Sequence, residues 1–257
     1  MQGKENVRVE IDGMVALVTL DRPPVNALNR ATRYELIGIF DEISQRDDIR
    51  CAVLTGAGKT FCAGADLKDR PKADDPGDFL AHNRAIRETG NAIRECDKPV
   101  IAAVNGVALG AGMGLIAACD IVYASETATF GMPEINVGLA GGAAMIQAMF
   151  SRSTARRMLF TGARLTAAEL RAQGVIEEVQ TPEGLIPAAM AVAHEIAEKA
   201  PLAMKYAKQT ANMVEEMPQR DAYRMEQNFT MALSKSEDAL EARMSFLEKR
   251  KPVFKGR

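Results

Sequence analysis

Glu134 stands between Pro133 and a loop, Gly138 to Gly142, that carries three glycines, and it follows an apolar stretch of strand character. A carboxylate at such an element boundary could face a cleft. On its residues alone, a solvated loop carboxylate is the simpler reading. The second candidate is upstream. Gly110, Gly112 and Gly114 alternate where a turn leads into an apolar helix. A helix N-terminus set directly after a buried strand presents unpaired backbone N–H groups and the positive end of the helix dipole. That is a place to hold a negative charge, permanent or developing. Other devices fail on spacing. Gly56 to Thr60 (GAGKT) resembles the end of a phosphate loop, but the required glycine five residues before Gly58 is Val53. The glycines at 112 and 114 would need a third at 117, which is Ala117. The two histidines, His82 and His194, sit in helical stretches without a nucleophile signature nearby.

The elements that must position these residues read as alternating strands and helices. Val7 to Ile11 and Val15 to Leu20 are β-rich runs joined by the hairpin signal Asp12-Gly13. Asn29, Thr32 and the periodic Leu36, Ile39, Phe40 and Ile43 predict a helix to about Gln45. Cys51 to Leu54 is a short buried strand, Lys68 to Gly77 a solvated loop, and Asp78 to Glu95 a helix. From Pro99 to Cys119 there is no charge, in a chain that is 26% charged. A run of about 20 such residues meets the length test for a membrane span. The turn signal Asn105-Gly106 and the glycines break it into a buried strand (Val100 to Val104), a turn, and a buried helix ending near Asp120. Strands follow at Ile121 to Tyr123 and Val175 to Val179, with a helix over Ala143 to Phe150 between them. Thr166 and Glu169 make a capping box. Helices are expected over Leu185 to Lys199, Leu202 to Val214, Arg220 to Leu233 and Glu237 to Lys249. The pattern is α/β with a parallel sheet, closed by an all-helical last quarter.

With 257 residues, 47% of them hydrophobic, the chain can bury a substantial core. The net charge of −2 and the lack of a dense basic block before the extreme C-terminus argue against a nucleic-acid partner. Cys51, Cys62, Cys96 and Cys119 lie in apolar contexts with no C-x-x-C spacing, so free thiols are expected and no metal site. The opening MQGKENVRVE is too charged for a signal peptide, and the expectation is a cytoplasmic protein without a membrane segment.

Three separated motifs in order, Phe61 to Lys68 (FCAGADLK), Lys98 to Asp120, and Phe130 to Glu134 (FGMPE) with Gly138, resemble the enoyl-CoA hydratase/isomerase (crotonase) family. The likeness extends to Asn26-Ala27-Leu28, Leu159 to Gly162 and Phe246 to Arg250, almost the whole chain. The resemblance implies a crotonase-like spiral of ββα units over residues 1–195 and a C-terminal helical region, 196–257, that assembles trimers or dimers of trimers. It implies an acyl-CoA thioester as ligand, with coenzyme A arriving as part of the substrate and no separate cofactor.

Carried over residue by residue, the backbone N–H groups of Ala65 and Ala111 would bind the thioester carbonyl and stabilise an enolate, and Glu134 would be the base. Ala27, the segment Ala63, Gly64, Ala65, Asp66, Leu67 and Lys68, and Gly110 and Ala111 would line the CoA path. Lys68, Lys249, Arg250 and Lys251 would be phosphate partners. The family's hydratases hold water between two glutamates, and the first falls at Gly114. That departure leaves Glu134 with the N–H of Gly142, or a loop acid among Asp74, Asp75, Asp78 and Glu88. It suits double-bond isomerisation or other single-base chemistry. Decarboxylation, thioester hydrolysis and acyl-CoA binding without catalysis stand as alternatives. RNA binding as a side activity is disfavoured by the acidic balance.

Overall fold

A computed structural model describes residues 5–72 and 74–257. Residues 1–4 of the opening stretch and Ala73 of the 68–77 loop lie outside that description. Two sheets organise the chain. The larger has the order β1-β2-β3-β5-β7-β10 and the smaller β4-β6-β8-β9. β1 (Val7–Asp12) and β2 (Val15–Leu20) pair antiparallel, while β2, β3 (Cys51–Gly56), β5 (Val100–Val104), β7 (Ile121–Ser125) and β10 (Glu178–Gln180) run parallel. β4 (Thr60–Cys62), β6 (Val107–Leu109) and β8 (Thr129–Gly131) are also parallel, and β9 (Arg164–Thr166) closes that sheet antiparallel.

The spiral is visible in this sorting. Each of the units β3-β4, β5-β6 and β7-β8 sends its first strand to the large sheet and its second to the small one. A helix or helical turn then leads to the next unit: α2 (Pro76–Arg94), α3 (Ala111–Ala118), and a 3-10 turn (Pro133–Val137) followed by α4 (Ala143–Met149). β3 and β5 are buried along their whole length, as continuous apolar parallel strands covered on both faces should be. One face meets the main core, where Leu36, Ile39, Phe40 and Ile43 of α1 (Arg30–Gln45) join Phe61 and Phe130. On the other lies α7 (Leu185–Ala197), which packs Leu185, Ala189 and Ala193 on Val53, Ile101 and Ala103.

The charge-free run is therefore two strands and a helix. Among the described residues no helix is long and apolar enough to cross a membrane. Several expectations are corrected. The hairpin turn is Gly13-Met14, not Asp12-Gly13, because Asp12 still pairs with Val15 and Gly13 takes the positive φ of 58°. The strand directly before α3 is β6, which the Asn105-Gly106 reading omitted. β10 begins three residues later than expected, and α2 starts at Pro76 with Asp75 as its cap. α5 (Arg152–Thr161), α6 (Ala167–Ala172), α8 (Pro201–Val214), α9 (Gln219–Leu233) and α10 (Glu237–Glu248) complete the chain. Lys249 falls outside α10 as its left-handed cap, φ 53°. GAGKT is a turn locked to the next one: Asn105 Oδ1 accepts from Gly56 N at 3.2 Å and Asn105 Nδ2 donates to Gly58 O at 2.9 Å.

Candidate active site

Chain reversal at Gly110 builds the first half of the site. Its N–H bonds Gly131 O at 2.9 Å, fixing the end of β6 to β8, and its φ of 51° turns the chain into α3. No side chain caps α3, so the donors of its first turn, beginning with Ala111 N–H, have no side-chain acceptor. Close packing needs the next glycine as well: a Cβ on Gly112 would collide with Cys62 O.

The second half lies alongside. Leu28 N donates to Gly64 O at 2.8 Å and Asp66 N to Leu28 O at 3.0 Å, a parallel bridge centred on Ala65. In such a bridge the middle residue's own N–H points away from its partner. Gly64, at φ 112°, brings this strand against α3: a Cβ there would lie 3.2 Å from Leu109 O and 3.9 Å from Ala111 N. The two expected donors thus belong to neighbouring segments. Arg22 secures the arrangement by donating to Ala27 O at 2.8 Å and pairing with Asp66 at 2.7 Å. Asp66 also accepts from Lys68 N at 2.9 Å, and these bonds hold its carboxyl below the usual range. Asp66 is an anchor of the strand. Asn26, at φ 53° and buried, ties the same corner by donating to Ala57 O and Thr60 O. Ala65, Leu67 and Lys68 are exposed along the outer edge.

Glu134 enters from the 3-10 turn, whose end is closed by Gly138 at φ 73° and by Leu139 N donating to Glu134 O at 3.0 Å. Its carboxylate lies directly over Gly110, where a Cβ would collide with Oε1. Oε2 is sealed from solvent and has no hydrogen-bond partner among the described residues. Burial pushes this carboxyl above its ordinary pKa. A half-buried acid with a raised pKa, beside an uncapped helix N-terminus, can take up and release a proton near a developing negative charge.

Gly114 is the next position on that face of α3. What lies over it is Met145, with Cε 3.4 Å and Sδ 3.6 Å from the place of a Cβ. Nearest to a Cβ at Gly142 would be Met132 Cε at 2.5 Å and Met145 Cε at 3.9 Å, so that glycine faces thioethers. The loop acids are engaged elsewhere. Asp75 caps α2, and Asp78 pairs with Arg30 at 2.7 Å and accepts from Lys72 N, which lowers its pKa and makes it a poor proton donor. Glu88 lines a separate groove between α1 and α2 with Tyr34 and Arg84, and Asp74 is exposed. Arg250 is bound within its own chain by Glu241 and Glu248, which leaves less of it for a phosphate.

Sequence reasoning passed over Met132 and Met145, since a methionine beside a glycine-rich loop carries no chemical signal. It also missed Arg33, a residue on the buried stripe of α1 that is only 4% exposed. The helical period places position 33 with Leu36 and Phe40 and could have flagged a charge there. The cysteines are free, and burial raises their thiol pKa values, to about 12 at Cys51 and about 11 at Cys62.

Comparison with known proteins gives a consistent answer. A family model described as enoyl-CoA hydratase/isomerase matches residues 10–257. The chain is 36% identical over 237 residues to a Mycobacterium tuberculosis (7aS)-7a-methyl-1,5-dioxo-2,3,5,6,7,7a-hexahydro-1H-indene-carboxyl-CoA hydrolase, covering 92% of this chain and 96% of that one. It is 34% identical over 267 residues to the carnitinyl-CoA dehydratase of Escherichia coli K12, covering 98% and 99%. Among solved structures, the enoyl-CoA hydratase from Bacillus anthracis superposes with a TM-score of 0.92 at 33% identity, over 98% of this chain and all of that one (100%).

Proposed function

The chain belongs to the enoyl-CoA hydratase/isomerase family, and from that premise we propose that it processes acyl-CoA thioesters through an enolate, with Glu134 as its one proton-transfer group. The observation that carries this reading is the Glu134 carboxylate: Oε2 is sealed and has no hydrogen-bond partner among the described residues, and the group sits over Gly110 at the uncapped start of α3. The N–H groups of Ala65 and Ala111 receive the thioester oxygen, and the coenzyme A portion follows Ala27 and the segment from Ala63 to Lys68. Donors aimed at an oxygen that gains charge in the transition state contribute most of the rate in such sites.

The reaction that fits one carboxylate is double-bond isomerisation. Glu134 takes the C2 proton of a 3-enoyl thioester, and the electron pair moves into the thioester carbonyl to give a dienolate held by the two N–H groups. Glu134 then returns the proton to C4, leaving the double bond between C2 and C3. Hydration or dehydration is the second reading, favoured by the similarity to carnitinyl-CoA dehydratase. Against it stands the thioether over Gly114, where a second carboxylate would be needed. Acyl-CoA binding without catalysis has no use for a sealed carboxylate at this point.

Exchange of the C2 protons of butyryl-CoA in deuterated water tests the base. The wild-type rate should rise with pH through an acid limb above the ordinary carboxylate range, because the base form is the ionised one and burial raises its pKa. Glu134→Gln should lower the rate by roughly 10²–10⁴-fold and abolish that limb. Exchange that survives in Glu134→Gln would overturn the assignment.

A further inference from the structure

Positions 110 and 114, both glycine and four residues apart, share one face of the α3 entrance, so neither presents a side chain there. Glu134 fills the space over the first and Met145 of α4 the space over the second. Met145 is 40% exposed, so its outer side meets solvent while its Cε is turned onto Gly114. It stands between the two. Met132 Cε, packed at Gly142, extends the same apolar wall. Glu134 Oε2 is closed to solvent and has no hydrogen-bond partner among the described residues.

Adding water across a double bond requires the water to be held beside the base by a further polar group. A thioether sulfur is at best a weak acceptor and its methyl group none. We infer that Met145 is the specificity-determining residue of this site: its thioether wall keeps water from the place beside Glu134 and so commits the carboxyl to moving protons between carbon atoms. The inference rests on Glu134 being the proton-transfer group, as proposed above, and adds what decides the fate of the bound thioester. Methionine suits the task because its unbranched chain can follow acyl groups of different shape while staying apolar.

If the wall is opened, hydration becomes accessible by a balanced step. The water oxygen bonds C3, one water proton passes to Glu134, and Glu134 delivers a proton to C2. The test uses the full-length protein and two probes, crotonyl-CoA for formation of 3-hydroxybutyryl-CoA and butyryl-CoA for C2 deuterium exchange. The quantity read is the ratio of the hydration rate to the exchange rate. Met145→Gln, which puts an amide of similar length over Gly114, and Met145→Ala, which leaves a space, should each raise that ratio at least tenfold. Met145→Leu, which keeps the wall apolar, should not. Two variants of different size guard against one failing to fold, with thermal melting as the check.

A ratio within twofold of wild type in both opened variants, with exchange intact, would overturn the inference. So would a wild-type protein that hydrates crotonyl-CoA as fast as it exchanges butyryl-CoA. Failure of the underlying reading has a separate signature, which is exchange that persists in Glu134→Gln.

Discussion

At the scale of single residues, the proposed chemistry uses a few atoms that local geometry leaves without partners among the described residues. Ala111 is the first residue of α3 after Gly110, and proline is favoured at that first helical position, where it breaks no helical hydrogen bond. Ala111→Pro therefore removes the N–H assigned to the thioester oxygen while leaving the helix able to form. C2 exchange on butyryl-CoA should fall by roughly 10²–10³-fold, the cost of one oxyanion donor, with little change in the thermal midpoint. A variant that melts like wild type and exchanges at the wild-type rate would remove Ala111 from the assignment. The residue scale is also where sequence reasoning was most uneven. A turn, then glycines, then an apolar run marked the helix start. Glu134 read as a loop acid until the family resemblance singled it out, because nothing local says what lies across from it. Its partner surface is Gly110, distant in the chain, and the thioether over Gly114 comes from Met145 in yet another element.

At the scale of elements, long periodic segments were legible and short strands were not. The α1 helix ends where its caps and apolar period predict, with Asn29 accepting from Thr32 N. The three-residue strands β4, β6, β8 and β9 are too short to show a period, and each exists because the sheet beside it supplies its hydrogen bonds. Docking of α8 was also illegible, because it is polar. The buried residues of α8 are Lys208 and Thr210. Lys208 Nζ donates to Ile93 O and Lys98 O, both at 3.1 Å, and pairs with Asp120 at 2.8 Å, while Lys205 pairs with Asp97. Lys208→Met would leave two carbonyls without this donor and Asp120 without its ion-pair partner, while Val100 N still donates to Asp120 Oδ2. Breaking a buried pair costs about 3–5 kcal/mol, and the partial exposure of Asp120 points to the lower end. Urea unfolding should show a loss of about 3 kcal/mol; a loss under 1 kcal/mol would mean that α8 docks by other means.

At the scale of the whole molecule, the two sheets and their connecting helices form the crotonase-like spiral that the resemblance implied, and they bring β4, β6, β8 and the α3 entrance to one place. The last helices face outward. Tyr223 and Met231 on α9, and Leu240, Phe246 and Leu247 on α10, are exposed, Phe246 at 82%. Assembly through the C-terminal helices, expected from the resemblance as a trimer or a dimer of trimers, would cover apolar side chains of this kind. Sedimentation should find three chains of 27.8 kDa together, or six as a pair of trimers. Phe246→Asp with Leu247→Asp should shift the population to single chains, and a wild-type protein that sediments as one chain at micromolar concentration would contradict the assembly.

In the proposed chemistry, one half-buried carboxylate beside two backbone donors moves a proton between carbon atoms. The most direct measurement follows 3-hexenoyl-CoA with the wild-type protein in deuterated water. Conversion to the conjugated 2-enoyl thioester is expected, with proton transfer from C2 to C4 and little 3-hydroxyacyl product. Accumulation of 3-hydroxyacyl-CoA as the main product, or release of free coenzyme A in its place, would contradict it.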